Sequence, residues 1–193
     1  MNLFIAVAGL TGAGKSTVCD YLKEVKGFSF VRFGQITLDL AKERWGEVNQ
    51  DKERIIREEI REKHGMAAYA ILNMPKFTAA QGNLVGDDLM SFEEYLYLKE
   101  QFKENLILVA VVAGQDFRYS RLVNRAVTND EKMRFRNHTR EEAENRDLTQ
   151  LTNINQGPSI ALAEYFIINQ GDKESVISQT EELLEWIKTR GSK

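Results

Sequence analysis

In the run Gly9-Leu10-Thr11-Gly12-Ala13-Gly14-Lys15-Ser16-Thr17, the first eight residues match the pattern G-x-x-x-x-G-K-[ST]. Each residue type has a chemical reason. The glycines let the backbone curl with its N–H groups pointing inward, as a cradle for a phosphate. A helix opening at the end of the run presents its positive N-terminus to the same anion. Lys15 is placed to reach the β- and γ-phosphates of a nucleoside triphosphate, and Ser16 offers a hydroxyl to Mg²⁺. ATP with Mg²⁺ is the expected ligand. The binding residues are Gly9, Thr11, Gly12, Ala13, Gly14, Lys15, Ser16 and Thr17.

Phosphoryl transfer also needs an acid near the metal or the acceptor, and positive charge around the moving group. Asp87 and Asp88 follow a short apolar run, where a parallel sheet presents functional groups. Asp87 is the candidate for holding Mg²⁺ through water or for taking the acceptor's proton. A solvated Gly-Asp-Asp turn is the competing reading. Downstream, Arg118, Arg121, Arg125, Arg134, Arg136, Arg140 and Arg146 supply guanidinium groups suited to developing phosphoryl charge. Glu131, Glu141, Glu142, Glu144 and Asp147 lie among them, so surface ion pairs compete for each.

Among the elements that position these residues, Leu3 to Ala8 is a continuous apolar run that ends at Gly9, as expected of a strand buried on both faces. Ser16–Val25 reads as a helix, Phe28–Phe33 as a second strand and Ile36–Trp45 as a helix. Residues 51–74 read as one helix or two, with Gly65 a candidate break and Pro75 a stop or kink. Asn83–Gly86 is a third strand, so Asp87 and Asp88 are expected just beyond it. Ser91 caps the helix to Phe102, with Glu94 as its capping-box partner. Leu106–Ala113 and Tyr165–Ile168 are strands; Phe117–Arg125, Ser159–Ala163 and Lys173–Thr189 are helices. Residues 128–150 are polar and arginine-rich with almost no core positions, which is how a closing lid reads. Strands alternating with helices predict an α/β fold with a parallel sheet covered on both faces. One domain spans 1–193, with core 1–127 and 151–193.

The remaining features bound the function. A net charge of −3 gives no global field toward nucleic acid or anionic lipid. No apolar run approaches the ~20 residues of a membrane span. The single cysteine, Cys19, suits a reducing compartment and a small buried role, and the chain is expected in the cytoplasm. His64 and His138 have no ligand spacing around them.

Beyond the phosphate loop, several stretches follow a known order: Arg57-Glu-Glu-Ile-Arg-Glu-Lys-His-Gly-Met-Ala-Ala-Tyr-Ala, Asp87 to Tyr95, Asn145-Arg-Asp, and Pro158 to Gly171. Over nearly its whole length the chain resembles small P-loop kinases of the dephospho-CoA kinase-like or nucleoside monophosphate kinase-like family. The resemblance implies a P-loop NTPase three-layer fold with a five-stranded parallel sheet of order 2-3-1-4-5. It also implies an ATP donor, and a nucleotide-like acceptor such as dephospho-CoA or a nucleoside monophosphate. It places Asn169 to Gly171 beside the adenine and Arg121 or Arg125 near the donor. Two departures stand out. Family members often carry Gly-Asp after the second strand, where this chain has Gly34-Gln35, and many read Asp-Gly-x-Arg at the third, where it has Asp87-Asp88-Leu89-Met90. These departures motivate a rival reading, a nucleotide-binding regulatory protein with weak or no kinase activity.

Overall fold

The computed structural model describes residues 3–124 and 138–190. The strand β1 (Phe4–Ala8) is buried at every position and sits at the centre of a parallel sheet. It pairs with β3 (Leu84–Leu89) on one side and β4 (Leu106–Val112) on the other. β2 (Ser29–Arg32) and β5 (Tyr165–Ile168) complete the order β2-β3-β1-β4-β5, as expected.

Alternation along β1 divides the core in two. Ile5 and Val7 face α1 (Lys15–Glu24) and the C-terminal helix (Lys173–Arg190), meeting Val18, Leu22, Val176 and Leu183. Phe4, Ala6 and Ala8 face the opposite layer. That layer holds α2 (Gln35–Trp45), α3 (Gln50–His64), α4 (Ala68–Ala79) and α5 (Phe92–Phe102). Here the rings of Phe4, Phe33, Phe77 and Phe102 pack at 4.9–6.3 Å between centroids. Gly86 lets β3 pass beneath them, since a Cβ there would lie 2.8 Å from both Phe4 and Phe33.

The structure resolves two open readings and changes two others. Residues 51–74 form two helices, because Gly65 ends α3 with φ 72°. Pro75 lies inside α4 and does not end it. A proline there forfeits one helical hydrogen bond, and the burial of Phe77 two residues later holds the helix together beyond it. Asp87 and Asp88 belong to β3 itself, which runs to Leu89. Residues within 128–150 are not all devoid of core. After α6 (Gln115–Val123), the helix α7 (Arg140–Thr152) starts at a Thr139–Glu142 capping box and buries Ala143, Asp147 and Gln150. A short α8 (Gly157–Ala161) then leads to β5, and α9 is the closing helix named above. Cys19 is buried on α1 as expected, and burial pushes its thiol well above the ordinary range.

Candidate functional site

The loop between β1 and α1 follows the conformation its glycines permit. Gly14 has φ 99°, and a Cβ on it would fall 2.1 Å from Asn169 Nδ2. That amide donates to Ala13 O at 2.8 Å, so the loop and the turn after β5 fit together only because position 14 is bare. No side chain caps the N-terminus of α1, which leaves its first N–H groups facing the loop's concavity. Gly14→Ala is expected to weaken ATP binding at least ~10-fold (about 1.4 kcal/mol), read by isothermal titration calorimetry. An unchanged affinity would dissociate the Asn169 contact from the phosphate loop.

Lys15 Nζ reaches back to Gly9 O (2.6 Å) and Leu10 O (3.3 Å), and lies 3.1 Å from Asp88 Oδ1. Asp88 has φ 71°, and the pairing of β1 with β3 slips by one residue there, with Ala8 opposite Leu89. It is a bulge residue whose carboxylate turns toward the lysine. Asp87, by contrast, is almost fully buried against α1, accepting a hydrogen bond from Cys19 Sγ at 3.6 Å. Burial pushes the Asp87 carboxyl up to about 6, the Asp88 charge adds to the rise, and Lys15 and Arg32 oppose it. For Asp88, desolvation is outweighed by Lys15 and Arg32, and its carboxyl is held below the usual range.

On the other flank, Arg121 Nη2 donates to Asn169 Oδ1 (2.9 Å) and Gly171 O (3.4 Å). Its Nη1 is buried with no hydrogen-bond partner among the described residues. The structure therefore brings Arg121, Asn169 and Gly171 together beside Ala13 and Gly14. Ser16 and Thr17 border an open groove of about 400 Å³ that continues past Asp20, Tyr21, Lys173 and Ile177. Arg125 lies outside the described residues, as do Arg134 and Arg136. Of the remaining arginines, Arg140 pairs with Asp116 at the surface, and the charge of Arg146 is felt at Asp88.

The sequence reading missed a buried polar cluster behind the loop. Arg118 makes a bidentate pair with Asp147 at 2.7 and 2.6 Å, and its Nη1 also donates to Thr11 O at 3.1 Å. Gln150 accepts from Thr11, and Gln156 donates to Leu89 O. Isolated glutamines carry no spacing signature, and Arg118 and Asp147 lie 29 residues apart. On the far side of the acids, Glu94 accepts from Met90 N and Ser91 N, while burial pushes its carboxyl up to about 7. Thr37 and Tyr69 share a hydrogen bond of 2.7 Å nearby on α2 and α4, and the Arg61 guanidinium lies 5.7 Å from the Tyr69 ring centroid. Gln35, at the position of the expected acid, donates to Asp39.

Comparison with known proteins agrees with this geometry. A family model described as "AAA domain" matches residues 5–151. A UPF0200 protein of Thermoplasma acidophilum is 31% identical over 183 residues, covering 93% of this chain and 94% of its own. A UPF0200 protein of Thermococcus kodakarensis is 29% identical, with 96% and 98% covered. Among solved structures, a shikimate kinase from Bacteroides thetaiotaomicron superposes with a TM-score of 0.63 at 14% identity, covering 96% of this chain and 98% of that one. A gluconokinase from Sinorhizobium meliloti gives 0.56 at 14% identity, with 97% of each chain covered. These solved structures share the fold of small P-loop kinases. With its phosphate loop between a central β1 and an uncapped α1, and with the family model spanning most of its length, the chain belongs to the AAA-domain family of P-loop proteins, together with its UPF0200 relatives.

Proposed function

We propose that this protein is an ATP-dependent phosphotransferase acting on a nucleotide-like small molecule, with dephospho-CoA and nucleoside monophosphates as leading acceptors, and that it works in the cytoplasm. The observation that carries the reading is the convergence of Lys15 and two adjacent aspartates at the mouth of the phosphate loop. The kinase-type fold neighbours support it.

In this reading the triphosphate takes the place of Asp88 on the Lys15 ammonium, while the first amides of α1 and the loop hold the phosphate oxygens. The acceptor oxygen, a hydroxyl in dephospho-CoA or a phosphate oxygen in a nucleoside monophosphate, bonds to the γ-phosphorus as the bond to the ADP oxygen breaks, and a hydroxyl's proton passes to Asp87. A carboxyl near pH 6 suits that exchange. Arg121, with one buried amino group unpartnered, stabilises the transferring phosphoryl together with Arg125. Asn169 and Gly171 border the adenine.

Mg²⁺ fits the donor set. Asp87 packs against α1 at Cys19, one turn beyond Ser16, and its repulsion with Asp88 is the kind a divalent cation relieves. Hydroxyl and carboxylate oxygens are the hard ligands this ion prefers. Ser16 and Asp87 would hold it, and when bound it would neutralise charge on the β- and γ-phosphate oxygens. The acceptor is assigned to the side of α2, α3 and the start of α4; residues 128–137 of the expected lid lie outside the described residues.

The test is an acceptor panel. ATP is supplied with dephospho-CoA, ribo- and deoxynucleoside monophosphates, shikimate or gluconate, and ADP release is followed. Acceptor-dependent release with a nucleotide-like compound is the expected result. Release only with shikimate or gluconate would move the acceptor to the chemistry named for the fold neighbours. Tight ATP binding without acceptor-dependent turnover would favour the regulatory reading, for which the side chain of Gln35, an amide tied to Asp39, is the motivating observation.

A further inference from the structure

Behind the phosphate loop, two fully sequestered glutamines form a directional relay. Gln150 Oε1 accepts from Thr11 N at 3.1 Å and from Thr11 Oγ1 at 2.8 Å. Gln150 Nε2 donates to Gln156 Oε1 at 3.0 Å. Gln156 Nε2 donates to Leu89 O at 2.9 Å and to Gly9 O at 3.4 Å. The direction is forced. Thr11 N is a donor, so Gln150 must turn its oxygen there, which leaves its nitrogen for Gln156. Gln156 must then point its own nitrogen at two carbonyls.

We propose that Gln150 and Gln156 are positioning residues that fasten the apex and start of the phosphate loop to the end of β3, fixing the loop against the acid pair before any nucleotide arrives. The proposal rests on the phosphate-binding reading of residues 9–17. Burying two primary amides is costly unless every polar atom is satisfied, and here the partners belong to the loop, to the end of β3 with Met90 just beyond it, or to the relay itself. Straight apolar side chains of the same length would fill the space without that cost, so packing alone does not call for glutamine. The relay also chooses which loop amides remain for an anion. Thr11 N is turned to Gln150 and Thr11 O to Arg118, so this residue is held on both polar groups from α6 and α7. Leu89 immediately follows Asp88, so the same relay that pins Gly9 and Thr11 also pins the strand end bearing the carboxylates. Fixing donors before binding is how a site avoids the ordering cost at the moment of binding.

The experiment compares Gln150→Met, Gln156→Met and the double variant with the unaltered protein. Affinities for ATP and for inorganic tripolyphosphate are measured well below each protein's thermal midpoint, and the midpoints are recorded separately. Each single change is expected to weaken both ligands about tenfold. The double variant should be little worse than either single, because removing one link already opens the relay. A merely structural role would lower the midpoints and leave the affinities of the folded proteins within about twofold, and that result would overturn the proposal, as would simple addition of the two effects. Should Gln150→Met fail to fold, Gln156→Met and Thr11→Val (which deletes the hydroxyl donor to Gln150) carry the same comparison with the same deciding outcomes. If the unaltered protein itself binds neither ligand, the phosphate-loop reading fails; if it binds both and the variants match it, only the positioning role fails.

Discussion

Lys15→Ala abolishes acceptor-dependent ADP release, lowering it by at least a thousandfold (about 4 kcal/mol of transition-state stabilisation). The ammonium is the only cation that the loop itself carries, and it is already aimed inward by two loop carbonyls. Arg118 is committed to Asp147 and Thr11 O, and Arg121 is held on the opposite flank by Asn169 and Gly171. Ligand-free stability should change far less. The Lys15–Asp88 pair is partly solvated on the aspartate side, with 30% of that side chain exposed, so the freed carboxylate can turn to water. Steady-state turnover and the thermal midpoint, measured on the same preparation, check both halves. A midpoint that collapses while residual activity stays high would assign Lys15 to the scaffold instead.

Asp87→Asn separates turnover from binding. Turnover should fall by ~100-fold or more, while ATP affinity stays within about threefold, because the acid that takes the proton and helps hold the metal is lost while Lys15, Ser16 and the loop amides that hold the triphosphate remain. The same change should stabilise the ligand-free protein above neutrality. The folded pKa of Asp87 is raised from 3.8 to about 6, so folding favours the protonated acid. Its contribution is fully present below the unfolded value and is lost as pH rises through about 6. By pH 8 the buried carboxylate costs up to roughly 3 kcal/mol, an upper value for about two pKa units. Asparagine keeps the shape and an acceptor for Cys19 while never ionising. Denaturant unfolding of both proteins at pH 4.5 and pH 8 should therefore show the variant gaining mainly at the higher pH. Near-normal rates at saturating acceptor would remove Asp87 from the chemistry.

The sequence carried the donor half of this arrangement because that half is built from local patterns. An unbroken apolar run from Leu3 to Ala8, a glycine-spaced loop and a helix start are all contained in some twenty consecutive residues. The sheet order came with the resemblance. Pro75 could be read only as a stop or a kink, because local propensity cannot see Phe77 docking on Phe4 and Phe33. The polar cluster was illegible for a different reason. Thr11, Arg118, Gln150 and Gln156 meet only after the chain has crossed the sheet, and a hydrogen-bonding partner 139 residues away leaves no periodicity to read. Residues 140–152 looked like uninterrupted solvent-facing polarity because the residues they bury include Asp147 and Gln150, polar groups satisfied out of sight.

The bulge at Asp88 bears on how this site could have diverged. The kinase family that the sequence resembles often reads Asp-Gly at the third strand, whereas this chain reads Asp87-Asp88. A backbone at φ 71° is one that glycine adopts freely and that aspartate tolerates at a cost of about 1 kcal/mol. The strand end therefore already has the path that the Asp-Gly form requires. Interconverting the two forms alters the number of acids beside Lys15 without rerouting β3, shifting its register or disturbing Leu89, on which the loop is fastened. Aspartate and glycine codons differ by one base, so the charge around the transferred phosphate can be retuned in a single mutational step on an unchanged scaffold.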